Sequence, residues 1–307
     1  MGLRPSEDNP ASLPPALLEL LSTQQGEETS AESLEGVPQK DVSYKIDLSN
    51  QTALTNYYTG AGEEREMARL ASLGLPHAGD WLNVVPSPAL GLHLRSLEFV
   101  TVAKYRLGLR LYRTAGPCPA CSHHSDVLGD HSLCCGSRGE RVTRHNFLRD
   151  VIFKAAVSAA LGPSREERGL IPGSDKRPGD VLIPCWTGGQ DTALDLTVIN
   201  PLQIGTVGRA ATEPGYALTV AYKRKMSGAE EECRRQGITF LPMAAESLGG
   251  WHKVAVDQVE KLARAIARHT GQQFEEAQRH LWQSLSVHLM KGNAQLLANR
   301  IPEEETS

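Results

Sequence analysis

Lys176-Arg177-Pro178-Gly179-Asp180-Val181-Leu182-Ile183, followed by Ala193-Leu194-Asp195-Leu196-Thr197-Val198, decides how this chain is read. Each stretch sets one aspartate beside an apolar, β-branched run, the composition of a strand. Residues 184–190 between them read as a turn-like segment. If the runs pair as a hairpin, Asp180 and Asp195 stand on adjacent strands and can point into one pocket. Two converging carboxylates can hold a hard divalent cation. A cation so held can generate a hydroxide and stabilise charge on a phosphate. The pattern suggests a metal-dependent nuclease.

The rest of the composition narrows the field. A chain of 307 residues can hold one large domain or two modest ones. Its formal charge of -4 gives no global basic field, so attraction to nucleic acid must come from local patches. Aromatic content of 5% argues against a protein that binds single strands by stacking. No apolar stretch approaches a membrane span, and no basic region followed by an apolar core opens the chain. An intracellular protein with no membrane partner is expected. In that setting six cysteines read as metal ligands and buried thiols rather than disulfides.

Residues 1–65, rich in Pro, Ser, Glu, Gln, Asn and Thr, are expected to be a disordered or low-complexity tail with a short helix at 17–21. A helical linker region follows over 66–117, with helices at 66–73 and about 94–107. The helix expected at 144–161 carries Phe147, Leu148, Val151, Ile152, Ala155 and Leu161 on its apolar face. After the two strands come a third element at about 199–207, a helix at 215–236 closed by Gly237, and a strand at 238–242. Helix, strands, helix, strand is an α/β layer pattern, bounded at 144–250. C-terminal helices are expected over 251–307, broken at Thr270-Gly271. Val259, Leu262, Ala263 and Ile266 give the first of them a packing face. Trp186 reads as a core aromatic or a wedge at a DNA surface.

Between 118 and 143 lies a zinc-binding module. Cys118-Pro119-Ala120-Cys121 offers two sulfurs from one turn, and His131 and Cys135 complete four ligands of the type zinc prefers. Cys134 competes with Cys135 for the last position. A buried thiol pair without metal is the plainer alternative. Four protein ligands leave no open position, so the metal would be structural. Arg138, Arg141, Arg144, His145 and Arg149 form the clearest basic patch, suited to phosphates or merely to solvent.

Several of these motifs occur in a telling order: Leu75-Pro76-His77-Ala78-Gly79-Asp80-Trp81-Leu82, Cys118-Pro119-Ala120-Cys121, Gly129-Asp130-His131, Arg144-His145-Asn146-Phe147-Leu148-Arg149-Asp150 and Arg177-Pro178-Gly179-Asp180-Val181. Over about residues 70–250 the chain resembles the C-terminal region of site-specific non-LTR retrotransposon polyproteins. There, a reverse transcriptase is followed by a CCHC zinc finger and a restriction-like endonuclease of the PD-(D/E)xK superfamily. The resemblance implies a PD-(D/E)xK core preceded by a small zinc module and flanked by helices. It implies structural Zn²⁺ on Cys118, Cys121, His131 and Cys135, with Cys134 a bystander. It implies catalytic Mg²⁺ or Mn²⁺ on Asp180 and Asp195. Thr197 stands where simple members carry the lysine, which the resemblance moves to the following helix. Lys225 fits that role best, and Lys223 competes. Glu167 is a candidate third carboxylate. The partner implied is DNA, with RNA as the alternative, and the expected location is the nucleus.

The chain also departs from the pattern. Gly228-Ala229 stands where the family often carries a Lys-Tyr pair, and no Tyr/Phe-x-Asp-Asp polymerase motif occurs. A fragment, a decayed copy or a host-adopted piece is therefore expected. The rival reading is a catalytically inactive, zinc-dependent nucleic-acid-binding module. A protein-interaction piece built on the C-terminal helices is a further rival. No G-x-S-x-G motif supports a serine hydrolase.

Overall fold

The computed structural model describes residues 39–173 and 177–301, with side chains from 47 onward. The helix expected at 17–21 and Lys176 lie outside those residues. Two compact units divide the chain, Met1–Asn56 and Tyr57–Ser307. The boundary falls inside α1 (Gln39–Ala61), which corrects the tail expected up to residue 65. Composition reports how little a segment can bury, and most described side chains of α1 are indeed exposed. It does not forbid a local helix, and neither proline nor glycine interrupts 39–59.

In chain order the second unit contains α2 (Glu64–Leu73), α3 (Ser96–Arg106), β1 (Gly116–Pro117), β2 (His124–Ser125), α4 (Asp130–Cys134), α5 (Glu140–Ser158), β3 (Ser164–Arg165), β4 (Val181–Thr187), β5 (Gln190–Ile199), α6 (Val207–Ala210), α7 (Tyr216–Arg235), β6 (Thr239–Glu246), α8 (Lys253–Thr270) and α9 (Phe274–Ala298). The segment expected at 199–207 is a run of turns leading into α6.

Strands β3, β4, β5 and β6 form one sheet in that order. The first three run antiparallel, and β6 lies parallel to β5 after the α7 crossover. The β4–β5 hairpin turns on Gly188-Gly189 alone, at φ 58° and 80°, the positive values a two-residue type I′ turn requires. The turn is therefore shorter than 184–190. Pro184, Cys185, Trp186 and Thr187 belong to β4, where the register shifts in a bulge. Cys185 sits there at φ 50°, and its N–H donates to Asp191 Oδ1 at 3.1 Å. Trp186, within the bulged segment, is a core residue. Its Nε1–H donates to Gln258 Oε1 at 2.7 Å, and Lys261 Nζ lies 4.1 Å from the centre of its ring.

Period-2 alternation sorts the faces of the sheet. Val181, Ile183, Leu194, Leu196, Met243 and Ala245 pack into the core shared with α5, α8 and α9. Leu182, Ala193, Phe240 and Ala244 lie on the other face, toward α7. The larger core also corrects the expected segmentation of 66–307. Trp81 and Val102, from the supposed linker, share it with Leu262, Leu285 and Leu289 of the C-terminal helices. Val259, Leu262 and Ala263 are fully buried, so their stripe is packing surface and not a docking face.

Candidate functional site

Two clusters of polar side chains stand out. The first is the cysteine–histidine cluster. Strands β1 and β2 form a small hairpin, pairing Gly116 with Ser125 and Pro117 with His124. Cys118 and Cys121 lie in its turn, closed by Cys118 N to His123 O and Ser122 N to Cys118 O, both 2.8 Å. Asp126 caps the next turn. Its carboxylate accepts the N–H groups of Leu128, Asp130 and His131 at 2.8, 3.1 and 2.9 Å, which sets α4 and hence His131.

Cys118 Sγ lies 3.9 Å from Cys135 Sγ, and Cys121 Sγ lies 3.3 Å from His131 Nε2. The four ligand atoms all fall within 4.8 Å of one another. A tetrahedron with metal–sulfur bonds of about 2.3 Å has edges of about 3.8 Å, so the spacing suits a single ion. Three sulfurs and an imidazole are donors for zinc. Burial lowers the His131 pKa and favours the neutral ring that binds metal.

The structure also separates the two neighbouring cysteines. Cys134 Sγ faces Gln203 Oε1 at 3.8 Å, and burial pushes its thiol up. Burial would raise Cys135 as well, but the Arg300 side chain and the Ser137 backbone bring it down to about 7. His123 and His124 are exposed.

The second cluster is acidic at its centre. The β4–β5 register pairs Val181 with Leu194 and Leu182 with Ala193, so its next step sets Asp180 across from Asp195. Asp180 N donates to Leu194 O at 2.8 Å and extends the ladder by that step. Gly179 permits the approach: a Cβ there would lie 2.9 Å from Ala193 Cβ and 3.0 Å from Leu194 O. By strand parity both aspartates share the α7 face.

Asp180 Oδ2 accepts Leu196 N–H at 2.6 Å and pairs with His145 Nε2 at 2.9 Å. Asp195 Oδ2 lies 2.7 Å from Lys225 Nζ. Helical spacing explains the lysine. Lys225 falls on the stripe of Leu218, Ala221 and Cys233, the face α7 turns to the sheet. Lys223 lies off that stripe, exposed, lining a surface pocket with Arg209, Glu213 and Tyr216. Burial holds the Asp195 pKa above the ordinary carboxylate value; Lys225 opposes this and the charge of Asp180 adds to it. Burial works against charge on His145, but its hydrogen bond to Asp180 and that acid's charge outweigh burial and raise its pKa.

Asp180, Asp195 and Lys225 are thus brought together, and Thr197 lies buried on the same strand face two residues beyond Asp195. Glu167 is not brought in. It is exposed beyond the end of β3, and the carboxylate engaged in that region is Glu166, which pairs with Arg149 and Arg177. Sequence reasoning set His145 in the basic patch near the cysteines, whereas its imidazole meets Asp180. Much of that patch is structural. Arg144 is 2% exposed and donates to Asn293 Oδ1 at 2.9 Å, and burial lowers it to about 10. Arg141 donates to Cys134 O at 3.2 Å. Two signals were available: Arg144 stands four residues before Leu148 on the buried stripe of α5, and His145 borders it.

Among the described residues the cysteine–histidine group is the one set of three or more metal-ligating side chains close enough to share an ion. The acidic cluster offers two carboxylates. Asp180 Oδ1 and Asp195 Oδ1 enter no hydrogen bond among the described residues, and hard oxygens of this kind suit Mg²⁺ or Mn²⁺. No described helix is long and apolar enough to cross a membrane. Neither a protein-family model nor a curated protein matches the chain.

Proposed function

We propose that this chain is a metal-dependent DNA endonuclease with a PD-(D/E)xK core, derived from a non-LTR retrotransposon and acting in the nucleus. One observation carries the reading: Asp180 and Asp195 face each other on adjacent strands, and Lys225 from the following helix reaches Asp195 at 2.7 Å. That is the lysine displacement the resemblance implies where Thr197 stands in the strand. A bound Mg²⁺ or Mn²⁺ would supply an activated water and neutralise charge on the phosphate.

The residues of the chain then take separate roles. Asp180 and Asp195 would offer Oδ1 as ligands. Lys225 would orient the attacking water or balance the phosphate charge, and Thr197 would hydrogen-bond a water. Cys118, Cys121, His131 and Cys135 would hold Zn²⁺ as a structural ion, and exposed Arg138 beside them would contact the DNA backbone. The test is nicking of plasmid DNA by purified protein with Mg²⁺. Asp195→Ala is expected to lose activity by about a hundredfold or more. Unchanged nicking would remove Asp195 from the mechanism.

A second reading is an inactive, zinc-dependent nucleic-acid-binding module, with DNA or RNA as partner. Gly228-Ala229 in place of Lys-Tyr favours it, and so does the charge balance that His145 and Lys225 already give the two acids. Retention of DNA at low salt without any Mg²⁺- or Mn²⁺-dependent cleavage would select it.

A further inference from the structure

We infer that His145 is a positioning residue for the acid pair: its imidazole fixes Asp180 so that Oδ1 is left for a divalent cation. The inference rests on the nuclease reading and assigns a residue which that reading does not use. Asp180 Oδ2 is held from two directions, by Leu196 N at 2.6 Å from the neighbouring strand and by His145 Nε2 at 2.9 Å from α5. One donor would leave the carboxylate free to pivot about its Cβ–Cγ bond; two donors on the same oxygen fix the plane of the group. Oδ1 has no such partner among the described residues. The ligand oxygen and the anchored oxygen are thus divided within one side chain.

Further features make this more than a surface contact. His145 sits in the second turn of α5, whose next turns carry Leu148, Val151 and Ile152 into the core, so the imidazole hangs from a rigid element. Its Nδ1 lies 3.4 Å from Asn146 Oδ1. The side chain is 28% exposed and its partner 14% exposed, so the contact sits at the rim of the cluster, partly shielded from water. Groups that hold a carboxylate or imidazole ligand from behind set metal affinity, and their loss typically weakens it ten- to a hundredfold.

The test measures Mn²⁺ binding to the zinc-loaded full chain by the loss of the free-ion EPR signal. Wild type is compared with His145→Ala, His145→Gln and the double variant Asp180→Ala/Asp195→Ala. His145→Ala is expected to weaken Mn²⁺ by about tenfold or more. His145→Gln, which keeps an N–H donor at similar reach, is expected to recover most of that loss. In plasmid nicking the same alanine variant should need more Mg²⁺ for half-maximal rate yet approach the wild-type rate at saturation. Wild-type Mn²⁺ affinity in His145→Ala, or a glutamine variant no better than alanine, overturns the positioning role while leaving the nuclease reading intact. If the double aspartate variant also binds Mn²⁺ like wild type, there is no cation site between the strands, and both proposals fall together.

Discussion

The cysteine–histidine cluster is built around a hairpin turn and the aspartate cluster across a strand pair, and they solve opposite problems. The first gathers four soft or borderline donors from a hairpin and a short helix. Its ligand atoms lie within 4.8 Å of one another, with Arg300 beside Cys135 as a counter-charge. The second sets two hard acids across a strand pair and balances them with His145 and Lys225. A closed tetrahedral set leaves nothing for a substrate to occupy, whereas two carboxylates, each with one oxygen unpaired among the described residues, would leave most of a cation's coordination open. On the reading proposed above, the first group would hold the chain together and the second would act on another molecule.

The comparison breaks if the cysteine cluster proves dispensable, and this is where the largest effect is expected. Zinc binding and folding of such modules are coupled with apparent energies of about 10–16 kcal/mol. Cys121→Ser, or treatment with a zinc chelator, should release the ion and expose residues 116–135 to proteolysis, and added Mg²⁺ should not reverse it. Zinc content measured beside limited proteolysis checks this. A resistant, zinc-free chain would mean that the thiols are only packing.

A buried acid with one unpaired oxygen sharpens the second half of the comparison. Glu246, at the end of β6, is 1% exposed, and its Oε2 has no hydrogen-bond partner among the described residues. Burial raises it from 4.5 to about 7, with Ser72 opposing weakly. The native state then keeps a proton that the unfolded chain has lost, so stability falls as pH rises from about 4.5 to about 7 and is flat above. The loss is on the order of 3 kcal/mol. Glu246→Gln should abolish that slope in denaturant titrations at several pH values. Persistence of the slope would place the titrating group elsewhere.

The smallest effect tests whether the acid pair depends on close approach of the backbones. Gly179→Ala adds a methyl that would lie 2.9 Å from Ala193 Cβ. Overpacking of this kind costs about 1–3 kcal/mol, and the relaxation should displace Asp180. Weaker Mn²⁺ binding with unchanged zinc content is expected. Unaltered binding of both ions would show that Asp180 is placed independently of the strand contact.

What the sequence revealed follows a physical division. Local signals were readable: the β-branched runs around Asp180 and Asp195 and the CxxC spacing; Lys225 was reached only through the family resemblance. Long-range packing was not. Trp81 and Leu285 meet in one core although some two hundred residues separate them, and no local period announces such a meeting. The basic patch misled because charge was read as exposure. Arg144 is a long side chain whose stem packs on Gly292 and whose Nη1 donates to Asn293 inside, and only its place on the α5 stripe hinted at that. The tail was misread over α1 for the converse reason, since a segment with little to bury can still be regular. His145 was missed as a partner of Asp180 because that contact joins residues thirty-five apart.

The ten steps from Cys135 to His145 act as a ruler. The first few run through Ser137–Gly139 and the rest through the rigid start of α5. Adding or deleting one residue inside the helical part would swing the imidazole by about 100° around the axis and carry it off the strand end. Changes at the exposed positions of this spacer, Arg138 and Arg141, leave that angle in place; a change in its length does not.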